Sequence, residues 1–99
     1  MGIVRKYTVE YPEGDVKIVE VFRVGDNKYS GGIMYNFRYL ACRGNAGEYE
    51  TAFAIDNSHG QPHMHKGDKK EYVELGWKQA AVEFDRMVKD YRKNRYGED

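Results

Sequence analysis

Apolar and polar side chains alternate with a period of two through most of the first 56 residues, and the links between the alternating runs are too short to hold a crossover helix. Ile3, Arg5, Tyr7, Val9 and Tyr11 alternate with Val4, Lys6, Thr8 and Glu10, which predicts a strand over 3–11. Pro12-Glu13-Gly14-Asp15 supplies a turn, and the β-branched run Val16 to Val24 predicts a second, more central strand. Gly25-Asp26-Asn27 and Ser30-Gly31-Gly32 bracket a longer link. A third strand follows over 33–42, where Ile33, Tyr35, Phe37, Tyr39 and Ala41 take alternate positions. The glycine-rich link 43–47 has hairpin length, and Tyr49, Thr51, Phe53 and Ile55 mark one face of a fourth strand ending at Asp56. Consecutive strands joined this tightly must be antiparallel neighbours, so the chain is committed to a meander.

Beyond residue 62 the pattern changes. Gly67-Asp68 can turn a small hairpin pairing 63–66 with 69–73. Trp77, Ala80, Ala81, Phe84, Met87, Val88 and Tyr91 then recur at three- and four-residue steps, predicting an amphipathic helix over 76–95 with this stripe as its packing face. Lys89, Arg92, Lys93 and Arg95 sit near its C-terminal end, where cations suit the macrodipole and the ordinary environment is solvent. A sheet with one apolar face and a helix with one apolar stripe bury each other. The expected fold class is therefore α+β: a two-layer, antiparallel β-meander of four to six strands covered by one C-terminal amphipathic α-helix.

At 99 residues the chain suits a single α+β domain over 1–99, small enough that a homodimer or a metal would add usefully to its stability. Sixteen basic residues balance sixteen acidic ones, so no chain-wide field draws in nucleic acid or an anionic membrane, and any such binding must be local. No apolar run approaches the roughly 20 residues that cross a bilayer, and no membrane partner is expected. The lone Cys42 cannot form an intrachain disulfide, and no charged-then-apolar leader opens the chain, so a reduced, cytoplasmic setting is expected. Cys42 beside Arg43 is read as inert strand filler.

All three histidines fall in one ten-residue segment, Asp56-Asn57-Ser58-His59-Gly60-Gln61-Pro62-His63-Met64-His65. Imidazole both titrates near neutrality and binds metals, so this loop is the expected site. In an extended segment His63 and His65 project from one side of the backbone, Pro62 favours that geometry, and Gly60 lets the chain double back so that His59 can approach them. Asp56 can set a histidine tautomer, while Asn57 and Ser58 can close an Asx-type turn.

Two chemistries fit the loop. One is metal-free acid–base cleavage of RNA, with His63 and His65 as general acid and base, His59 assisting, Asp56 orienting, and Lys66 with Arg38 neutralising phosphate. Lys69, Lys70 and Arg43 are further candidate cations, and Tyr35, Tyr39 and Tyr49 candidate base-stacking rings, although the nine tyrosines suit sheet packing equally well. The other chemistry is a Zn²⁺ site built from His59, His63, His65 and Asp56, with no metal required by the first alternative. A non-enzymatic interaction module, in which the loop is a solvated connection, also fits.

Through Asp56-Asn57, His59-Gly60 and Pro62-His63-Met64-His65 the chain resembles small archaeal and bacterial proteins of unknown function with an Asp-Asn…His-Gly…His-x-His core, and more distantly TumE-type toxins of toxin–antitoxin modules. That resemblance implies an RNA-directed toxin with Asp56, His59, His63 and His65 as carried-over positions and a cognate antitoxin-like protein as partner. The toxin-like relatives commonly carry an arginine two residues before the aspartate, whereas Ala54 stands here, so an activity of that kind needs another cation such as Arg38.

Overall fold

The computed structural model describes residues 2–45 and 47–98. Its strands are β1 (Gly2–Glu10), β2 (Val16–Arg23), β3 (Ile33–Cys42), β4 (Tyr49–Asp56), β5 (His63–Lys66) and β6 (Lys69–Tyr72), followed by one helix, α1 (Trp77–Tyr96). The strands form a single sheet in the order β1-β2-β3-β4-β5-β6, every neighbouring pair antiparallel. The α+β meander expected from the alternation is thus present at its full six strands, with ends displaced from the expected ranges by no more than a residue or so. Ala46, within the expected link 43–47, lies outside the described residues; beside it the Arg43 N–H donates to the Glu48 carbonyl at 2.8 Å.

Alternation on β3 decides which face is buried. Tyr35, Phe37, Tyr39 and Ala41 are all buried, and they bring Val19 and Val21 of β2 and Phe53 and Ile55 of β4 to the same side. Ala80, Phe84, Met87 and Val88 of α1 close the core, with Trp77, Ala81 and Tyr91 packed at its margin. Phe84 stacks on Phe37 at 5.6 Å between ring centroids and meets Phe53 at 5.7 Å. Each such fully buried side chain contributes about 1.5–3 kcal/mol.

Two local devices shape the far half of the sheet. Between Tyr39↔Phe53 and Leu40↔Thr51 the register of β3 and β4 shifts, leaving Ala52 as the extra residue of a bulge. The β5–β6 hairpin turns on Gly67-Asp68, with Gly67 at φ 60°, the positive value that the first residue of a two-residue II′ turn demands.

Arg92 corrects one expectation. Instead of lying in solvent with the other helix-end cations, it is only 3% exposed. Its guanidinium stacks on Tyr11 at 3.7 Å from the ring centroid, donates to Glu13 at 2.9 Å and Glu98 at 2.6 Å, and donates to Tyr39 Oη at 3.0 Å. Tyr39 Oη in turn donates to Asp15 at 2.7 Å. Asp15 is fully buried, and it also accepts from Tyr96 Oη at 2.8 Å and the Cys42 N–H at 2.8 Å. The three acceptors reach Arg92 from the β1–β2 turn, from β3 and from the chain just past α1, so one residue of the helix is tied to three parts of the molecule.

Burial by itself pushes the Asp15 carboxyl up, but the hydrogen bonds from Cys42, Tyr39 and Tyr96, together with Arg92, outweigh it and hold the group below its ordinary 3.8. A carboxyl depressed in the folded state stabilises above its unfolded pKa, and that contribution disappears as the pH falls through the folded value. Urea titrations from pH 6 to 2 should therefore show the wild type losing stability below about pH 4, and Asp15→Asn should be less stable at neutral pH with a shallower acid slope. Phe84→Ala should cost about 3–5 kcal/mol in the same assay at neutral pH, because it empties the contact between the helix and both central strands.

Candidate functional site

Because the odd positions of β3 face the helix, its even positions face the opposite, uncovered side. Register then lines up two rows across all six strands of this open face. One row is Lys6, Glu20, Asn36, Asp56, His63 and Tyr72; the next is Thr8, Ile18, Arg38, Ala54, His65 and Lys70. Neighbouring strands are about 4.8 Å apart, so adjacent members of a row are within side-chain reach.

His65 Nε2 stands 3.5 Å from Asp56 Oδ2, and the His63 and His65 ring centroids are 6.3 Å apart. The other Asp56 oxygen, Oδ1, accepts from the Ser58 N–H at 3.2 Å and from Ser58 Oγ at 2.8 Å. Ser58 therefore holds the carboxylate and leaves one oxygen turned to the imidazole. Asp56 also acts through the sheet: burial first, and then its charge, push the Tyr35 phenol up to about 12.

Arg38, Thr51, Ala54, Asp56, His65 and Gly67 line a depression of about 320 Å³ beside this pair. Among the described residues, Arg38 Nε is buried from solvent without a hydrogen-bond partner. A buried donor left unpaired costs about 1–3 kcal/mol, a cost that an anion accepting from the guanidinium would relieve. Arg38 is the direct cross-strand partner of Ala54. The methyl of Ala54 leaves the space above it to the Arg38 side chain, so a cation faces Asp56 and His65 from β3 although β4 supplies none.

Tyr72 is a further member of the face. It is 52% exposed, and its ring meets His63 edge-on at 6.1 Å. Asn36 donates to Glu20 Oε1 at 3.2 Å beside Asp56. Tyr72, Asn36, Glu20 and Thr51 were missing from the candidate residues, although the hairpin turn at Gly67-Asp68 already implies that Tyr72 stands opposite His63.

Several expected members are elsewhere. Lys66 pairs with Phe53 and so lies on the helix face, one residue out of phase with His65, and cannot neutralise charge beside it. Arg43 is at the other end of β3, ion-paired with Glu50 at 2.6 Å. Tyr35 and Tyr39 are core residues whose hydroxyls donate to the Leu75 carbonyl and to Asp15, so neither ring is open to a base. Tyr49 is exposed at the start of β4, distant in register from His63.

His59 does not fold back onto the other two. The loop is pinned elsewhere: Tyr29 Oη donates to the Ser58 carbonyl at 2.7 Å, and Gly60, at φ 92°, packs so closely that a Cβ there would lie 2.9 Å from the Lys28 carbonyl oxygen. His59 is left exposed at the crest. Consistent with that separation, no group of three or more His, Cys, Asp or Glu side chains among the described residues is arranged to hold a metal ion. Asn57 is buried, and instead of closing the turn with its side chain it extends the sheet, accepting from the Tyr35 N–H at 2.7 Å and donating to the Ile33 carbonyl at 2.9 Å.

No family model, no curated protein and no solved structure matches the chain. Among the described residues, no helix is long and apolar enough to cross a membrane.

Asn57→Ala should remove both buried hydrogen bonds and lower stability by about 1–3 kcal/mol in chemical denaturation, with faster amide exchange over 57–62 as the loop loses its anchor.

Proposed function

We propose that the open face around His63, His65, Asp56 and Arg38 is a phosphodiester-cleaving site acting on single-stranded RNA. The observation that carries this is the shared depression: an imidazole against a held carboxylate, with an unpartnered guanidinium nitrogen beside it. His65, oriented by Asp56, takes the proton from a ribose 2′-hydroxyl, whose oxygen attacks the adjacent phosphorus. Arg38 compensates the charge that builds on the phosphoryl oxygens. His63 gives a proton to the departing 5′-oxygen, leaving a 2′,3′-cyclic phosphate and a free 5′-hydroxyl. Tyr72, edge-on to His63, offers a ring to an unpaired base, and Lys70, directly opposite His65, offers a second cation.

This assignment keeps the reaction class that the resemblance to TumE-type toxins implies, with Arg38 acting across the strand from Ala54. It needs two histidines rather than three, and it needs neither Lys66 nor a metal.

Purified protein incubated with single-stranded RNA should yield cyclic-phosphate ends. His65→Ala and His63→Ala should each lower the rate about 10²–10⁴-fold, and Arg38→Ala about 10²–10³-fold. Moving the charge across the strand, in an Arg38→Ala/Ala54→Arg double variant, should restore part of the loss. Equal background cleavage by wild type and His65→Ala would remove the assignment.

A further inference from the structure

A second depression lies on the opposite side of the sheet, between α1 and the β4–β5 pair, and the chemistry described above does not use it. It has a volume of about 360 Å³, within the roughly 300–1,000 Å³ of small-ligand sites. Met87, Tyr91, Asn94 and Arg95 fall at i, i+4, i+7 and i+8 on one stripe of α1, and Phe53 and Lys66 face them from adjacent strands. Phe53, Met87 and Tyr91 make an apolar floor, with the Phe53 and Tyr91 rings edge-to-face at 5.7 Å.

The rim is cationic. Arg86 is engaged by Glu83 and, at 2.8 Å, by Asp90, so it is already paired, and the three together carry one net negative charge. Lys66 and Arg95 have no ion-pair partner among the described residues. Lys66 stands directly opposite Lys69. Like charges in that position destabilise a hairpin. Edge protection does not account for it, because Lys66 is on the inner strand β5 while β6 carries Lys69 and Lys70 at the edge. A bound anion would remove the repulsion.

We infer that this groove binds a nucleoside monophosphate, its base against Tyr91 and Met87 and its phosphate between Lys66 and Arg95. Asn94, with an amide donor and acceptor at the rim, can pair with a base edge. The site is independent of the RNA-cleaving face, because Lys66 and His65 are consecutive residues on opposite sides of one strand.

Calorimetric titration of the full chain with AMP, GMP, CMP and UMP should show saturable binding of at least one. Lys66→Gln and Arg95→Gln, both exposed positions, should each weaken it by about tenfold or more, the fold-change of one charge-assisted hydrogen bond. His65→Ala should leave binding intact, and Lys66→Gln should leave RNA cleavage intact, which separates failure here from failure of the cleavage assignment. No saturable binding of any of the four, or inorganic phosphate binding as tightly as the best nucleotide, would overturn the inference. So would binding lost in His65→Ala and retained in Lys66→Gln.

Discussion

The pleat of β3, β4 and β5 is the constraint on which the rest of the molecule depends. Tyr35, Phe37 and Tyr39 cannot leave the helix side without exposing the core, and this forces Asn36 and Arg38 to the other side. Hydrogen-bonded register carries the same division into β4 and β5, so the positions of Asp56 and His65 follow from where Phe53 and Ile55 are buried. A slip of one residue on β5 would exchange His65 for Lys66. Core packing and site geometry are two readings of one alternation.

The first four strands, their meander and the helix were legible because period-two and period-3.6 patterns are strong over long runs and the short links excluded any other connection, whereas the four-residue strands β5 and β6 rested on the Gly67-Asp68 turn and left the expected count at four to six. The pairing of His63 with His65 was legible for the same reason. Lys66 was misplaced although the alternation that joined His63 to His65 also assigns Lys66 to the opposite face. Tyr72 and Lys70 could have been found by counting outward from Gly67-Asp68, which sets them opposite His63 and His65. Arg92 was not legible, because its burial depends on acceptors delivered by the β1–β2 turn, by β3 and by the end of the chain, remote in sequence. The course of the loop at His59 was hidden for a similar reason, since Tyr29 and Lys28 hold it from a distant connection.

Polar burial is divided between the two faces of the sheet. Near the β1–β2 turn, Asp15, Tyr39 and Arg92 satisfy one another, and a network complete in itself rigidifies the place where helix and sheet meet. On the open face, Arg38 Nε has no hydrogen-bond partner among the described residues. The contrast separates a polar cluster satisfied within the fold from a donor that the fold leaves unpaired.

The bulge at Ala52 gives β4 two opposite numbering conventions. Past it, odd residues face the helix; before it, Thr51 shares the open side with Leu40. The strand thus works as a parity switch, letting a hydroxyl-bearing residue border the Arg38 depression without displacing Phe53 from the core. Were the shift absent, Ala52 would pair with Leu40 and Thr51 with Ala41, turning Thr51 inward and altering the border of the cleft while every histidine, the carboxylate and the guanidinium kept their stations.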